Sequence, residues 1–191
     1  LNDHKRLIRY HEPGHLHEFT FSCYRQLPLL DDESRRKLLA RCIDAAGGET
    51  GLRLSAFVFM PEHVHLLAYS HETDPDIGRY LARIKQPFSK QMKELIAASD
   101  PALAARLTVR ERPGKSCFRF WQAGGGYDRN LYSPRAITAA LDYLHLNPVK
   151  RGLCDRAIDW KWSSARYYLI VISTIDPDLP RVEPLPMGSL H

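Results

Sequence analysis

With 191 residues, 44% apolar and 26% charged, the chain is long enough for one decorated domain and ordinary for a soluble globular protein. Basic side chains exceed acidic ones by 27 to 22, and the formal net charge of +5 is mild evidence for a polyanionic partner. No run approaches the roughly 18–20 apolar residues of a membrane span, and residues 1–6 lack the apolar core of a signal peptide. The four cysteines (Cys23, Cys42, Cys117, Cys154) are scattered without Cys-x-x-Cys spacing. That fits reduced thiols in a cytoplasmic protein better than a disulfide framework.

Residues 1–15 are polar and histidine-rich and close on a Pro13-Gly14 turn. Residues 16–23 read as a first strand, with Leu16, Phe19 and Phe21 among polar neighbours. Asp31 or Asp32 caps a helix to about Ala46, with Leu38, Leu39 and Ile43 on one face, and Gly47-Gly48 is expected to stop it. Residues 52–59 and 63–70 read as two strands of a hairpin joined by Met60-Pro61-Glu62. A second helix starts near Pro75 and carries Ile77, Tyr80, Leu81 and Ile84; Pro87 is expected to bend or split it. Residues 99–116, with Arg106, Arg110, Arg112 and Lys115 around Pro113-Gly114, read as a mobile basic loop. Residues 118–121 read as a short strand and Gly124-Gly125-Gly126 as a flexible break. Ser133-Pro134 opens a third helix, which Asn147-Pro148 ends. A domain of residues 1–170 is then followed by a loose, proline-rich tail, residues 171–191. No internal repeat is present. The order of elements points to an α+β sandwich, a largely antiparallel sheet with packed helices.

Two places carry chemistry. The first is His63-Val64-His65 in the second strand of the hairpin. Strand side chains alternate, so both imidazoles face one way, with backbones about 6–7 Å apart, and can grip one divalent ion. The plain alternative is two half-buried histidines satisfied by hydrogen bonds. The second is the third helix. Its apolar stripe is Ile137, Leu141 and Leu144, while Tyr143 and Asn147 lie one turn apart on a neighbouring face. Ala136 and Ala140 precede them on that face and leave room around the tyrosine. His145 projects nearly opposite. The plain alternative here is a boundary tyrosine with an asparagine C-cap.

Met60-Pro61-Glu62-His63-Val64-His65-Leu66-Leu67 resembles the strand motif of the HUH single-tyrosine transposases. Phe120-Trp121-Gln122, the run from Tyr143 to Leu153 (YLHLNPVKRGL), and Trp162-Ser163-Ser164-Ala165 are similar to the REP-associated tyrosine transposases within that superfamily. The resemblance covers roughly residues 15–168, in order and in register. One departure is Glu62, where the family usually has asparagine. Read from sequence, Glu62 points away from the histidine face, yet its charge could repel phosphate.

The resemblance implies the ferredoxin-like HUH nuclease fold and a specific activity. The family cleaves and rejoins single-stranded DNA beside imperfect palindromic hairpins. Carried over, His63 and His65 are metal ligands, Asn147 is the third ligand and Tyr143 is the nucleophile. The implied metal is Mg²⁺ or Mn²⁺, and the product is a 5′-phosphotyrosine with a free 3′-hydroxyl. The family leaves open a monomer or a homodimer that exchanges catalytic helices.

The residue types suit that chemistry. Two imidazoles and an amide add no negative charge, so an ion keeps its Lewis acidity. Imidazole suits Mn²⁺ or Zn²⁺ better than Mg²⁺, so cellular availability would decide the metal. A phenol is a poor nucleophile until a metal or base assists its deprotonation. The aryl phosphate retains the bond energy of the broken linkage, which favours strand transfer. For DNA contacts, Arg119 and Arg129 flank the presumed site. Arg83 on the second helix and Lys150 could reach phosphates, and Trp121 could stack a base, as could Tyr127, Trp160 or Trp162. Two other classes compete: a non-catalytic hairpin-binding module for DNA or RNA, and a generic metallohydrolase. The latter would need a carboxylate or a third histidine aimed at the metal.

Overall fold

The computed structural model describes residues 16–72, 74–124, 126–170, 176–183 and 185, together with the backbone but not the side chain of Tyr127. The reading of residues 1–15 lies outside these. β1 (Leu16–Ser22) sends Phe19 and Phe21 into one core and Leu16 into another, as strand alternation requires. α1 (Glu33–Thr50) follows, with the Asp32 side chain accepting the Arg35 N–H at its start. Gly47-Gly48 does not stop it; the helix ends at Gly51. Gly47 answers to packing instead, because a Cβ there would sit 2.9 Å from the Leu52 carbonyl oxygen.

β2 (Arg53–Phe59) and β3 (His63–Tyr69) form the expected hairpin. α2 (Ile77–Ser99) then runs unbroken through Pro87. Tyr80, Ile84, Phe88, Met92 and Ile96 are all buried, on both sides of the proline. Burying each such side chain is worth about 1.5–3 kcal/mol, which together exceeds the roughly 3 kcal/mol that an interior proline costs.

Residues 99–116 are ordered, contrary to the sequence reading. The Asp100 side chain caps α3 (Pro101–Leu107), and β4 (Thr108–Arg112) pairs with β5 (Lys115–Phe118) across the Pro113-Gly114 turn. β4 is mostly charged and exposed because this ribbon has little core to face. The fourth strand of the main sheet is not residues 118–121 but β6 (Tyr127–Leu131), which the sequence reading missed. Trp121 contributes only an isolated bridge to Cys23. Gly126, at φ 72°, is required by close approach: a Cβ there would collide with the Thr20 carbonyl oxygen. The part of the glycine run that is described therefore lets β6 in beside β1.

The main sheet has the order β2-β3-β1-β6 with every pair antiparallel, the ferredoxin-like arrangement. α1 and α2 cover one face, around Phe19, Phe57, Phe59 and Leu66. α4 (Pro134–Lys150) covers the other, setting Ala140, Leu141 and Leu144 on Ala56, Val58, Met60 and Leu67. α4 passes Pro148 and ends a turn later than expected, so Asn147 is a buried helical residue rather than a frayed end. α5 (Ala165–Leu169) completes the helices.

Residues 176–183 are packed rather than loose. Leu179 is buried, Asp178 pairs with Lys37 and Lys161, and the Glu183 N–H donates to the Leu54 carbonyl at 2.8 Å. This segment runs beside β2, the sheet edge away from β6. No helix among the described residues is long and apolar enough to cross a membrane.

Candidate active site

β3 turns His63 and His65 toward α4 and Val64 into the opposite core. Their Nε2 atoms converge to 3.0 Å, with the rings nearly perpendicular at 87°. Each remaining nitrogen has a partner. His63 Nδ1 is 3.1 Å from Glu62 Oε1, and His65 Nδ1 is 2.8 Å from Thr20 Oγ1. The second contact follows from register, since Thr20 is the residue opposite His65 on β1. Burial pushes His65 down to about 4, helped by His63; burial also lowers His63, against the pull of Glu62. Both rings are thus neutral near pH 7, the form that ligates metals.

This donor set fits a small divalent cation. Facing nitrogen lone pairs repel unless a proton or cation lies between them. Two imidazole nitrogens bound at about 2.0–2.1 Å and at right angles stand ~3.0 Å apart.

α4 supplies the rest. Ser133 caps it by accepting the Ala136 N–H, and the seating of Leu141 and Leu144 fixes its rotation. Asn147 is then buried, with its amide nitrogen 3.3 Å from His65 Nε2. A flip of the amide would turn its oxygen to the same place. Among the described residues no cluster of three or more His, Cys, Asp or Glu could hold a metal. The Asn147 amide is the further polar group beside the pair, and the Glu18 carboxylate lines the adjoining cleft. The Tyr143 ring lies 5.6 Å from the His65 ring, edge to face, and is 48% exposed. Lys150 Nζ sits 5.2 Å from the Tyr143 ring centroid. A cleft of about 410 Å³ opens beside them, lined by Glu18, Thr20, His65, Arg129, Ala139, Ala140 and Tyr143. The two alanines keep it open.

The residues singled out from sequence separate into two groups. His63, His65, Asn147, Tyr143, Arg129 and Lys150 come together; Arg129 also binds Glu18 at 2.8 Å. Arg119, Arg83 and Trp121 do not line the cleft. Arg119 pairs with Glu111 on the ribbon at 2.8 Å. Arg83 pairs with Glu49 on the α1/α2 side, behind the sheet. Trp121 is buried against Phe21, Phe88 and Phe120 and has no face left for a base. Trp162 is core as well, and the Trp160 indole N–H donates to the Phe59 carbonyl. His145 is buried beside Ser164 at 2.9 Å, away from the histidine pair's converging nitrogens. Glu62 is the sharpest correction. It turns toward His63 rather than away, and Arg151 Nη1 donates to the same Oε1 at 2.6 Å. Burial disfavours its charge, yet Arg151 and His63 hold its carboxyl below the usual range.

Sequence reasoning missed Thr20, Glu18 and Arg151. Alternation in the first strand could have placed Thr20 and Glu18 on the histidine face. Arg151 gave no such signal, because its position depends on α4 continuing past Pro148.

A curated protein from Haemophilus influenzae, described by inference as a REP-associated tyrosine transposase, is 30% identical over 109 residues. The match spans 57% of this chain and 56% of that relative, little more than half of its length. A solved structure of a REP-associated tyrosine transposase bound to a REP hairpin superimposes with a TM-score of 0.64 at 21% identity. It covers 94% of this chain and 99% of that one, and at this identity the likeness shows the fold. No family model matches the chain.

Proposed function

We propose that this chain, a relative of the REP-associated tyrosine transposases, is a metal-dependent single-stranded DNA endonuclease and strand transferase acting beside palindromic hairpins. The observation that carries the reading is the convergence of His63 and His65 Nε2 at 3.0 Å, with Asn147 beside them and the Tyr143 ring 5.6 Å away. His63, His65 and Asn147 would hold Mg²⁺ or Mn²⁺. When bound, the ion would withdraw charge from a non-bridging phosphate oxygen and so favour attack at phosphorus.

Tyr143 attacks the scissile phosphorus through its phenol oxygen. The bond to the 3′-oxygen breaks, that oxygen leaves as a 3′-hydroxyl, and the 5′-phosphate stays on the tyrosine. Attack by a second 3′-hydroxyl reverses the exchange and releases the phenol. Half-exposure of Tyr143 lets a polymer reach it. A helix-borne nucleophile opposite strand-borne ligands gives the reacting groups a rigid frame. Lys150 sets a positive charge against the Tyr143 ring, and Arg129, paired with Glu18, lines the cleft where the backbone would lie.

Incubation with a 5′- or 3′-labelled hairpin oligonucleotide and Mn²⁺, followed by a denaturing gel, tests this directly. A slow covalent species is expected, and it should vanish on chelation and in the His63→Ala/His65→Ala double variant. Hairpin binding without any adduct would point instead to a binding module, and nicking that survives chelation would refute the ligand assignment.

A further inference from the structure

Glu62 has no part in the chemistry proposed above, yet its side chain joins the two halves of the site. Oε1 lies 3.1 Å from His63 Nδ1 and accepts from Arg151 Nη1 at 2.6 Å. His63 opens β3, while Arg151 caps the end of α4, the helix that carries Tyr143 and Asn147. We propose that Glu62 is a positioning residue that fixes the proton of His63 on Nδ1. The inference rests on reading the histidine pair as a cation site.

A neutral imidazole carries its proton on either nitrogen, and only a ring with a bare Nε2 can ligate from that side. A carboxylate oxygen at Nδ1 selects this tautomer, because the other would set two lone pairs against each other. A carboxylate acceptor also makes the ring a more basic ligand. An acid next to a phosphate-binding centre would ordinarily repel its substrate. Arg151 offsets that charge, and with its side chain 52% exposed it remains accessible to solvent. The turn does not depend on these side chains. Cys23 N–H donates to the Glu62 carbonyl at 2.8 Å, Leu30 N–H to the Pro61 carbonyl at 2.8 Å and Met60 N–H to the His63 carbonyl at 2.9 Å. Substitution at position 62 should therefore leave the hairpin folded.

The test needs no DNA cleavage. Mn²⁺ affinity is titrated by the electron paramagnetic resonance signal of the free ion in the intact protein, Glu62→Ala, Glu62→Gln and Arg151→Ala. The tautomer of His63 is read from ¹⁵N NMR in metal-free protein. Glu62→Ala should weaken Mn²⁺ binding about 10–100-fold and mix the His63 tautomers. Glu62→Gln, whose carbonyl oxygen still accepts from Nδ1, should recover part of both. Arg151→Ala should keep the His63 tautomer but weaken binding of a single-stranded oligonucleotide in chelator, because the carboxylate is then uncompensated. Wild-type Mn²⁺ affinity in Glu62→Ala overturns the assignment, as does weakened binding with the tautomer unchanged. Unaltered oligonucleotide binding in Arg151→Ala overturns the role given to that residue. If the intact protein takes up no Mn²⁺, the reading of the histidine pair as a cation site falls, and the tautomer alone decides the role of Glu62.

Discussion

One strand shows the two faces of this sheet side by side. Toward α1 and α2, β3 presents Val64, Leu66 and Ala68, all within a large apolar core. Toward α4 it presents His63, His65, Leu67 and Tyr69, of which only Leu67 belongs to the smaller core beneath that helix. Both faces bury side chains, but the first spends burial on stability and the second uses it to hold imidazoles neutral and convergent. Covering a sheet on both sides lets a single hairpin serve both ends, because alternation separates them.

The difference can be probed by substitution on each face. The largest expected effect on stability lies on the α1/α2 side. Phe57 is fully buried against Phe59, and Phe57→Ala should cost about 3–5 kcal/mol in urea unfolding. A cost below about 1 kcal/mol would mean that this core is far looser than described.

Next comes acid sensitivity on the α4 side. Burial holds the folded values of His65 and His145 down to about 4, below the value of about 6.5 in an unfolded chain. The unfolded state therefore binds protons first. The stability these groups contribute is complete above pH 6.5 and is lost as pH falls toward 4, by up to about 3 kcal/mol for each. Urea midpoints measured in chelator across that range should fall, and His145→Gln should flatten part of the slope. A slope that His145→Gln leaves unchanged would show that His145 charges freely in the folded protein.

The smallest stability effect is expected at Tyr143, the proposed nucleophile. Tyr143 is half exposed, so Tyr143→Phe should stay within about 0.5 kcal/mol of the parent. A much larger loss would make Tyr143 a packing residue after all.

How much of this was legible from sequence follows the same division. Period-two alternation around His63 and period-3.6 spacing around Tyr143 are local signals that say which side chains share a side of each element; that the two sides meet is legible only in the structure. The errors arose where a distant contact overrides local preference. Pro87 sits in a helix because Phe88 and Met92 are buried beyond it. Gly126 is a point of contact with Thr20 rather than a hinge. Trp121 looked like a base platform because sequence alone cannot say that Phe88 and Phe120 surround it. Arg129 was visible only as a charge near a turn, since β6, the strand that aims it into the cleft, was not recognised. The α3–β4–β5 excursion had readable signals, an Asp-Pro start and a Pro-Gly turn, which its charged composition masked.

The central claim is that His63, His65 and Tyr143 form one reacting centre. Its most direct test is to trap the protein–DNA adduct formed with Mn²⁺ and a hairpin oligonucleotide, digest it, and map the nucleotide-bearing peptide by mass spectrometry. A 5′-phosphate on Tyr143 and no adduct in Tyr143→Phe are expected. A phosphate mapped to another tyrosine, or an adduct undiminished in Tyr143→Phe, would contradict it.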